Sequence, residues 1–193
     1  TSGLLVRRVG GRSVRPYQPA GYYSHLNFPR REYQPDTGDN LWRRTVYTHW
    51  QRQFLHPSLM AFDGPSREEC TVERPRSNTP LAALVLLNDP IYVEASRVFA
   101  ERVLREAPPG VPERLTFLFR QAFSREPQSD ESALLTRLLE KHLVEFRRDL
   151  RSANALIHIG ERPAPDDLDA AEWAAWTGIC RIVLNTHEFI TRS

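Results

Sequence analysis

Cysteine is nearly absent. Cys70 and Cys180 are the only two in 193 residues, which excludes a zinc ribbon, a CxxC redox pair and the CxxCH attachment motif of covalent haem within this chain. Cys180 falls on an apolar helical pattern and reads as a small buried hydrophobe, whereas Cys70 sits in a polar stretch. A disulfide between them stays open at this point, because sequence carries no distance. Lysine is scarcer still: Lys141 stands alone, so nearly all positive charge is guanidinium. That chemistry suits planar carboxylate or sulfate groups, although a biased codon supply gives the same composition. No apolar run approaches the roughly 20 residues that a membrane-spanning helix needs, so no membrane span is expected. No GxSxG or papain-like context frames a nucleophile, which argues against covalent catalysis. The opening TSGLLVRRVGG has neither an initiator Met nor a long apolar h-region. It is not a signal peptide, and the chain is expected to be a fragment of a longer protein.

What is present is an ordinary globular composition, 40% hydrophobic and 26% charged, with charge unevenly placed. The net charge of +2 hides nine arginines in residues 1–55 set against only Glu32, Asp36 and Asp39. Such an excess suits nucleic acid or an acidic polysaccharide. The arginines are scattered among Pro, Gly and Tyr rather than gathered on a helical stripe, so no nucleic-acid partner is expected.

The pattern predicts a mainly α protein: an irregular helical bundle, residues 41–193, with a Gly/Pro-rich and largely coil N-terminal arm, residues 1–40, packed on it. Glycines and prolines interrupt the arm every few residues, and its tyrosines argue against disorder. From Asn40, the residues Trp42, Val46, Tyr47, Trp50 and Phe54 suggest one helical stripe. Residues 55–78 read as a loop bounded by prolines. Thr79-Pro80 and Asp89-Pro90 are each an N-cap followed by proline at the first helical position, so two helices start there, the second running to about Glu106. Apolar stripes predict further helices from Pro112 to near Pro127, from Ser129 through Leu135, Leu139 and Phe146, from Ala153 to Ile159, and from Asp169 through Trp173, Trp176, Cys180 and Val183. No period-2 strand pattern and no internal repeat occurs.

The chemistry-bearing residues concentrate between Leu41 and Asp89. His49 or His56 with Asp63 is the candidate catalytic acid–base pair, and the ordinary reading is that these histidines pack and hydrogen-bond. Their spacing, with Pro57 adjacent, does not fit a metal-ligand pair, so no metal site is assigned. Asp63, Glu68, Glu69 and Glu73 would suit glycoside hydrolysis if two of them converged, yet Glu68 and Glu69 more simply solvate a loop. Arg74, Arg76 and Asn78, just ahead of a helix N-terminus, form a donor set for an anion. Arg67 and Glu68 precede them, and Trp50 is a candidate for stacking on a sugar ring.

Across GGRSVRPYQPAGYY, YTHWQRQFLHPSLMAFDGPSREECTVERPRSNTPLAALVLLNDPIYVEASRVFAERVL and AAWTGICRIVLNTHEFITR, the chain resembles the planctomycete-type C-terminal domain of unknown function of the PSD family, found in cytochrome c-containing multidomain proteins. The likeness is to the C-terminal part of that domain, and no catalytic residue carries over from it. The resemblance implies an exported, periplasmic, redox-associated protein discussed alongside polysaccharide degradation. It implies partner domains ahead of this chain and haem c, if any, elsewhere in the full-length protein, with no cofactor in this chain. The expectation is therefore a C-terminal helical module serving as scaffold or binding surface for a partner domain or an anionic glycan, with Trp50, Arg67, Glu68, Arg74, Arg76 and Asn78 as binding residues. The alternative is part of a glycan-active enzyme, with or without a metal, with a His/Asp/Arg site around residues 49–78.

Overall fold

Local sequence signals start most of the helices. The computed structural model describes residues 1–25, 32–51, 54–66, 70–73 and 79–191. Among these residues lie eight α-helices and no strand longer than an isolated bridge, a mainly α architecture. They are α1 (Pro57–Ala61), α2 (Pro80–Asn88), α3 (Pro90–Glu106), α4 (Val111–Phe123), α5 (Ser129–Arg148), α6 (Leu150–Ile157), α7 (Ala170–Leu184) and α8 (His187–Ile190). Thr79 Oγ1 accepts the Ala82 N–H at 3.2 Å, and Asp89 accepts the Ile91 N–H at 2.9 Å. Each thus satisfies one orphan donor ahead of a proline that has none to offer. Asp149 and Asp169 cap α6 and α7 in the same way. No helix among the described residues is long and apolar enough to cross a membrane.

The chain gathers into two compact units, one of Thr1–Gly3 with Leu86–Ser193 and one of Leu4–Val85. The boundary between units thus falls inside α2.

In the first unit, α7 is the central helix and packs against α3, α5 and α6. Its sequence AAEWAAWTGICRIVL is apolar nearly all round, and a helix of that kind has to be enclosed. Trp173, Trp176, Ile179 and Cys180 are each at most 1% exposed, and truncating either tryptophan to Ala would cost roughly 3–5 kcal/mol. Phe99, Val103, Leu115, Leu118, Leu135, Leu139 and Ile157 complete this core. Gly178 lets α5 come close, since a Cβ there would meet His142 Nδ1 at 2.6 Å.

In the second unit, the helix expected from Asn40 to Phe54 does not form. Residues Gly38–Trp42 and Thr45–Tyr47 are short 3₁₀ turns, and Arg43 and Thr48 are extended. Arm residues Val6 and Val14 bridge to Arg43 and Thr48, with Val6 N–H donating to Trp42 O at 2.9 Å and His49 N–H to Val14 O at 2.7 Å. Main-chain groups that a helix would pair with one another are taken by the arm. Val46, placed on the expected buried stripe, is 76% exposed.

Candidate functional site

His56 is the best-defined of the candidate residues. It precedes Pro57, which disfavours helical backbone at the preceding position, and it stands at φ −55°, ψ 135° as the N-cap of α1. Its Nδ1 accepts the Ser58 N–H at 3.3 Å, and its Nε2 lies 2.8 Å from the Tyr17 carbonyl oxygen. A carbonyl can only accept, so Nε2 carries the hydrogen and Nδ1 is the acceptor, which fixes the neutral tautomer. The buried ring joins the loop to the arm through main-chain groups.

Asp63, His49 and Trp50 are the other candidates among the described residues. Asp63 follows α1 in left-handed backbone, φ 56°, its N–H donating to Met60 O at 3.2 Å as the chain turns. His49 is half-buried and held to the arm by its main chain, and Trp50 is half-buried beside it. Arg67, Glu68, Arg74, Arg76 and Asn78 lie outside the described residues, as does Glu69. Of the same segment, Pro65, Ser66, Cys70, Thr71, Val72 and Glu73 are exposed. No group of three His, Cys, Asp or Glu side chains among the described residues is arranged to hold a metal ion.

Three of the arm's tyrosines are spent on packing. Tyr22 and Tyr23 lie against Phe54 with ring centroids 5.9 and 6.1 Å apart, and Tyr23 meets Tyr33 edge-on at 5.2 Å. Tyr22 and Tyr33 donate their hydroxyls to Leu55 O and Pro16 O. Burial pushes both phenols above their ordinary range. Arg43 likewise ties the arm down from inside the unit. Only 6% exposed, it donates to Arg8 O at 3.1 Å and Gly10 O at 2.7 Å and stacks 4.0 Å over the Tyr47 ring. Tyr47 in turn accepts the Gly10 N–H on its hydroxyl at 2.8 Å.

Sequence reasoning missed a second polar constellation, in the other unit. Glu94 and Arg97, both fully enclosed, lie one turn apart on α3 with 3.7 Å between their charged atoms. Glu94 Oε1 accepts the N–H groups of Arg162 at 2.8 Å and Glu161 at 3.1 Å, while Arg97 donates to Arg162 O at 2.7 Å. Arg97 also lies over Trp173, whose indole N–H donates to the Arg97 carbonyl at 2.9 Å. Burial lowers the Arg97 guanidinium's proton affinity, opposed by the neighbouring carboxylates of Glu94 and Glu101. Glu94 Oε2 and Arg97 Nε and Nη1 have no hydrogen-bond partner among the described residues. The pair therefore carries a desolvation cost, which the bonds to the Glu161–Arg162 main chain offset. The one sequence signal is a Glu and an Arg three residues apart on a helix otherwise facing the core. Chemically this is a latch that holds the loop after α6.

The chain matches the family model PSD1, described as a protein of unknown function (DUF1553), over residues 1–139. No curated protein matches it, and no solved structure does. With most of its length aligned to that model, from the arm through the first half of α5, the chain belongs to the PSD1 family.

Proposed function

We propose that this chain is the C-terminal helical scaffold of a larger exported, periplasmic and redox-associated protein. In this reading the polar segment between α1 and α2 binds an anionic glycan through Arg67, Arg74 and Arg76, with Trp50, Glu68 and Asn78 completing the surface. Domains preceding this chain dock on the scaffold and carry whatever haem chemistry the whole protein performs. The observation that carries the reading is the use made of His56. His56, the candidate base ahead of α1, serves as a pin, donating to Tyr17 O and capping Ser58, and Thr79 anchors the far end by capping α2. A polar segment fixed at both ends suits recognition. The same use of His56 weakens the rival reading, in which His49 or His56 acts with Asp63 as the acid–base pair of a glycan-active enzyme.

Affinity electrophoresis in gels containing a sulfated polysaccharide tests the proposal. Arg74→Ala with Arg76→Ala is expected to lose about tenfold in affinity, or about 1.4 kcal/mol, with thermal unfolding unchanged. Retention of full affinity by the double variant removes the assignment.

A further inference from the structure

We propose that the turn Arg7–Arg12, together with Arg44 and Val46, is a docking surface for an acidic polypeptide segment that carries apolar side chains. This surface uses none of the residues of the glycan reading and does not depend on it.

The geometry begins with the backbone. Gly10 and Gly11 both adopt positive φ, 78° and 90°, which lets the arm turn where an L side chain would be strained. The turn is held from beneath: Arg43 donates to the carbonyls of Arg8 and Gly10, and the Tyr47 hydroxyl accepts the Gly10 N–H. These bonds tie residues 6–12 alongside residues 42–48, so Arg7, Arg8, Arg12 and Arg44 belong to one small region of the unit, and all four are exposed. The side chains of Arg7, Arg8 and Arg44 make no ion pair or hydrogen bond among the described residues. Of the four, only Arg12 has a carboxylate partner among the described residues, Asp36 at 3.7 Å, which also accepts the main-chain N–H of Arg15. In the other unit Arg102, Arg105 and Arg114 are paired, with Glu106, Asp167 and Glu172. Charge left unpaired on a rigid turn favours an anionic partner and costs little ordering when one binds.

The apolar content of the surface decides which anion. Val9 is 83% exposed and Val46 76% exposed, on the two stretches that Arg43 and Tyr47 tie together. A sugar ring or a nucleobase is recognised by stacking on an open aromatic face, and the Tyr47 face is already covered by Arg43 at 4.0 Å. Guanidinium groups interleaved with aliphatic side chains match carboxylates interleaved with aliphatic side chains, as in an acidic polypeptide.

The test is fluorescence anisotropy of the whole chain with a labelled peptide of repeated Glu-Glu-Val units. A sulfated polysaccharide and a single-stranded oligonucleotide serve as competitors. Arg7→Glu with Arg8→Glu, and separately Arg44→Glu, should each raise Kd about tenfold. Val9→Ser with Val46→Ser should raise it about threefold while leaving its salt dependence as in the parent. All are exposed positions, and circular dichroism melts matching the parent's show that folding is intact. Arg74→Ala with Arg76→Ala should leave this titration unchanged, which separates its outcome from that of the glycan reading. The proposal is overturned by absent peptide binding, by a Kd indifferent to the charge reversals or to the valine changes, or by the polysaccharide or oligonucleotide displacing the peptide from the Arg74→Ala, Arg76→Ala variant at lower concentration than unlabelled peptide does.

Discussion

Glu94 and Gly160 are fitted to each other: a Cβ added to Gly160 would overlap the Glu94 carboxylate, and Gly160 stands at φ 100°. The carboxylate uses that space to reach the N–H groups of Glu161 and Arg162. Gly160→Ala therefore adds a steric clash to a backbone penalty and displaces a fully enclosed carboxylate from its donors. The expected loss is roughly 3–5 kcal/mol, the range for breaking a buried charged network. Urea unfolding followed at Trp173 and Trp176 measures it. A loss below about 1 kcal/mol, an ordinary surface change, would mean that Glu94 is not the latch.

Arg125 sets a pH dependence on the acid side. It holds Glu131 and Glu188 with paired hydrogen bonds of 2.7 and 2.8 Å to each and lies against Phe119 and Phe123. The guanidinium holds both carboxyls below their ordinary value of 4.5, chiefly through those hydrogen bonds. A folded-state value depressed below the unfolded one means that the folded protein binds fewer protons. The stabilisation is complete above about pH 4.5 and fades as pH falls through the lowered folded values. Arg125→Met should lower Tm by a few degrees at pH 7 and by much less near pH 3. Parallel Tm–pH curves for parent and variant would contradict this.

How much of this is legible in the sequence follows from the range of each interaction. The starts of α2 and α3 are readable because Thr79-Pro80 and Asp89-Pro90 act within one turn, and the Trp173–Val183 stripe is readable because α7 is buried on almost every side. The stretch from Asn40 to Phe54 misleads, since its helical spacing competes with an arm some 35 residues upstream in sequence, a distance seen in the Arg43 bond to Arg8 O. His56 stands out among the candidates, but its partner Tyr17 O is 39 residues away, and nothing local distinguishes a pin from a base. The Glu94 latch is invisible for the same reason, its donors lying 67 and 68 residues on.

Arg43 provides a local test of the arm. Its guanidinium is the donor for Arg8 O and Gly10 O, and hydrogen bonds from a charged donor are worth roughly 1.5–3 kcal/mol each. Arg43→Met keeps much of the volume over Tyr47 and removes both bonds, so the turn should open more often. Trypsin cleavage after Arg7 and Arg8 is expected to accelerate at least tenfold, while the intact first unit keeps its tryptophan emission. Lysine at this position should restore little, because a single ammonium cannot both stack on Tyr47 and reach two carbonyls. A cleavage rate equal to the parent's would show that other contacts hold the turn.

The two cysteines report on the two units separately. Cys70 is exposed and Cys180 buried, and both are free thiols. Burial pushes the Cys180 thiol far up its scale, so its reactive thiolate is suppressed twice, by lack of access and by lack of ionisation. Under native conditions a maleimide should modify Cys70 alone, and Cys180 should react only as α7 leaves the core. Its rate then measures opening of the first unit, and Gly160→Ala should raise that rate while leaving Cys70 labelling unchanged. Cys180→Ser would bury a hydroxyl in apolar surroundings at a cost of about 1–3 kcal/mol, whereas Cys70→Ser should be neutral. Native modification of both thiols at comparable rates would contradict an enclosed α7, and with it the packing that sets Arg97 over the Trp173 ring.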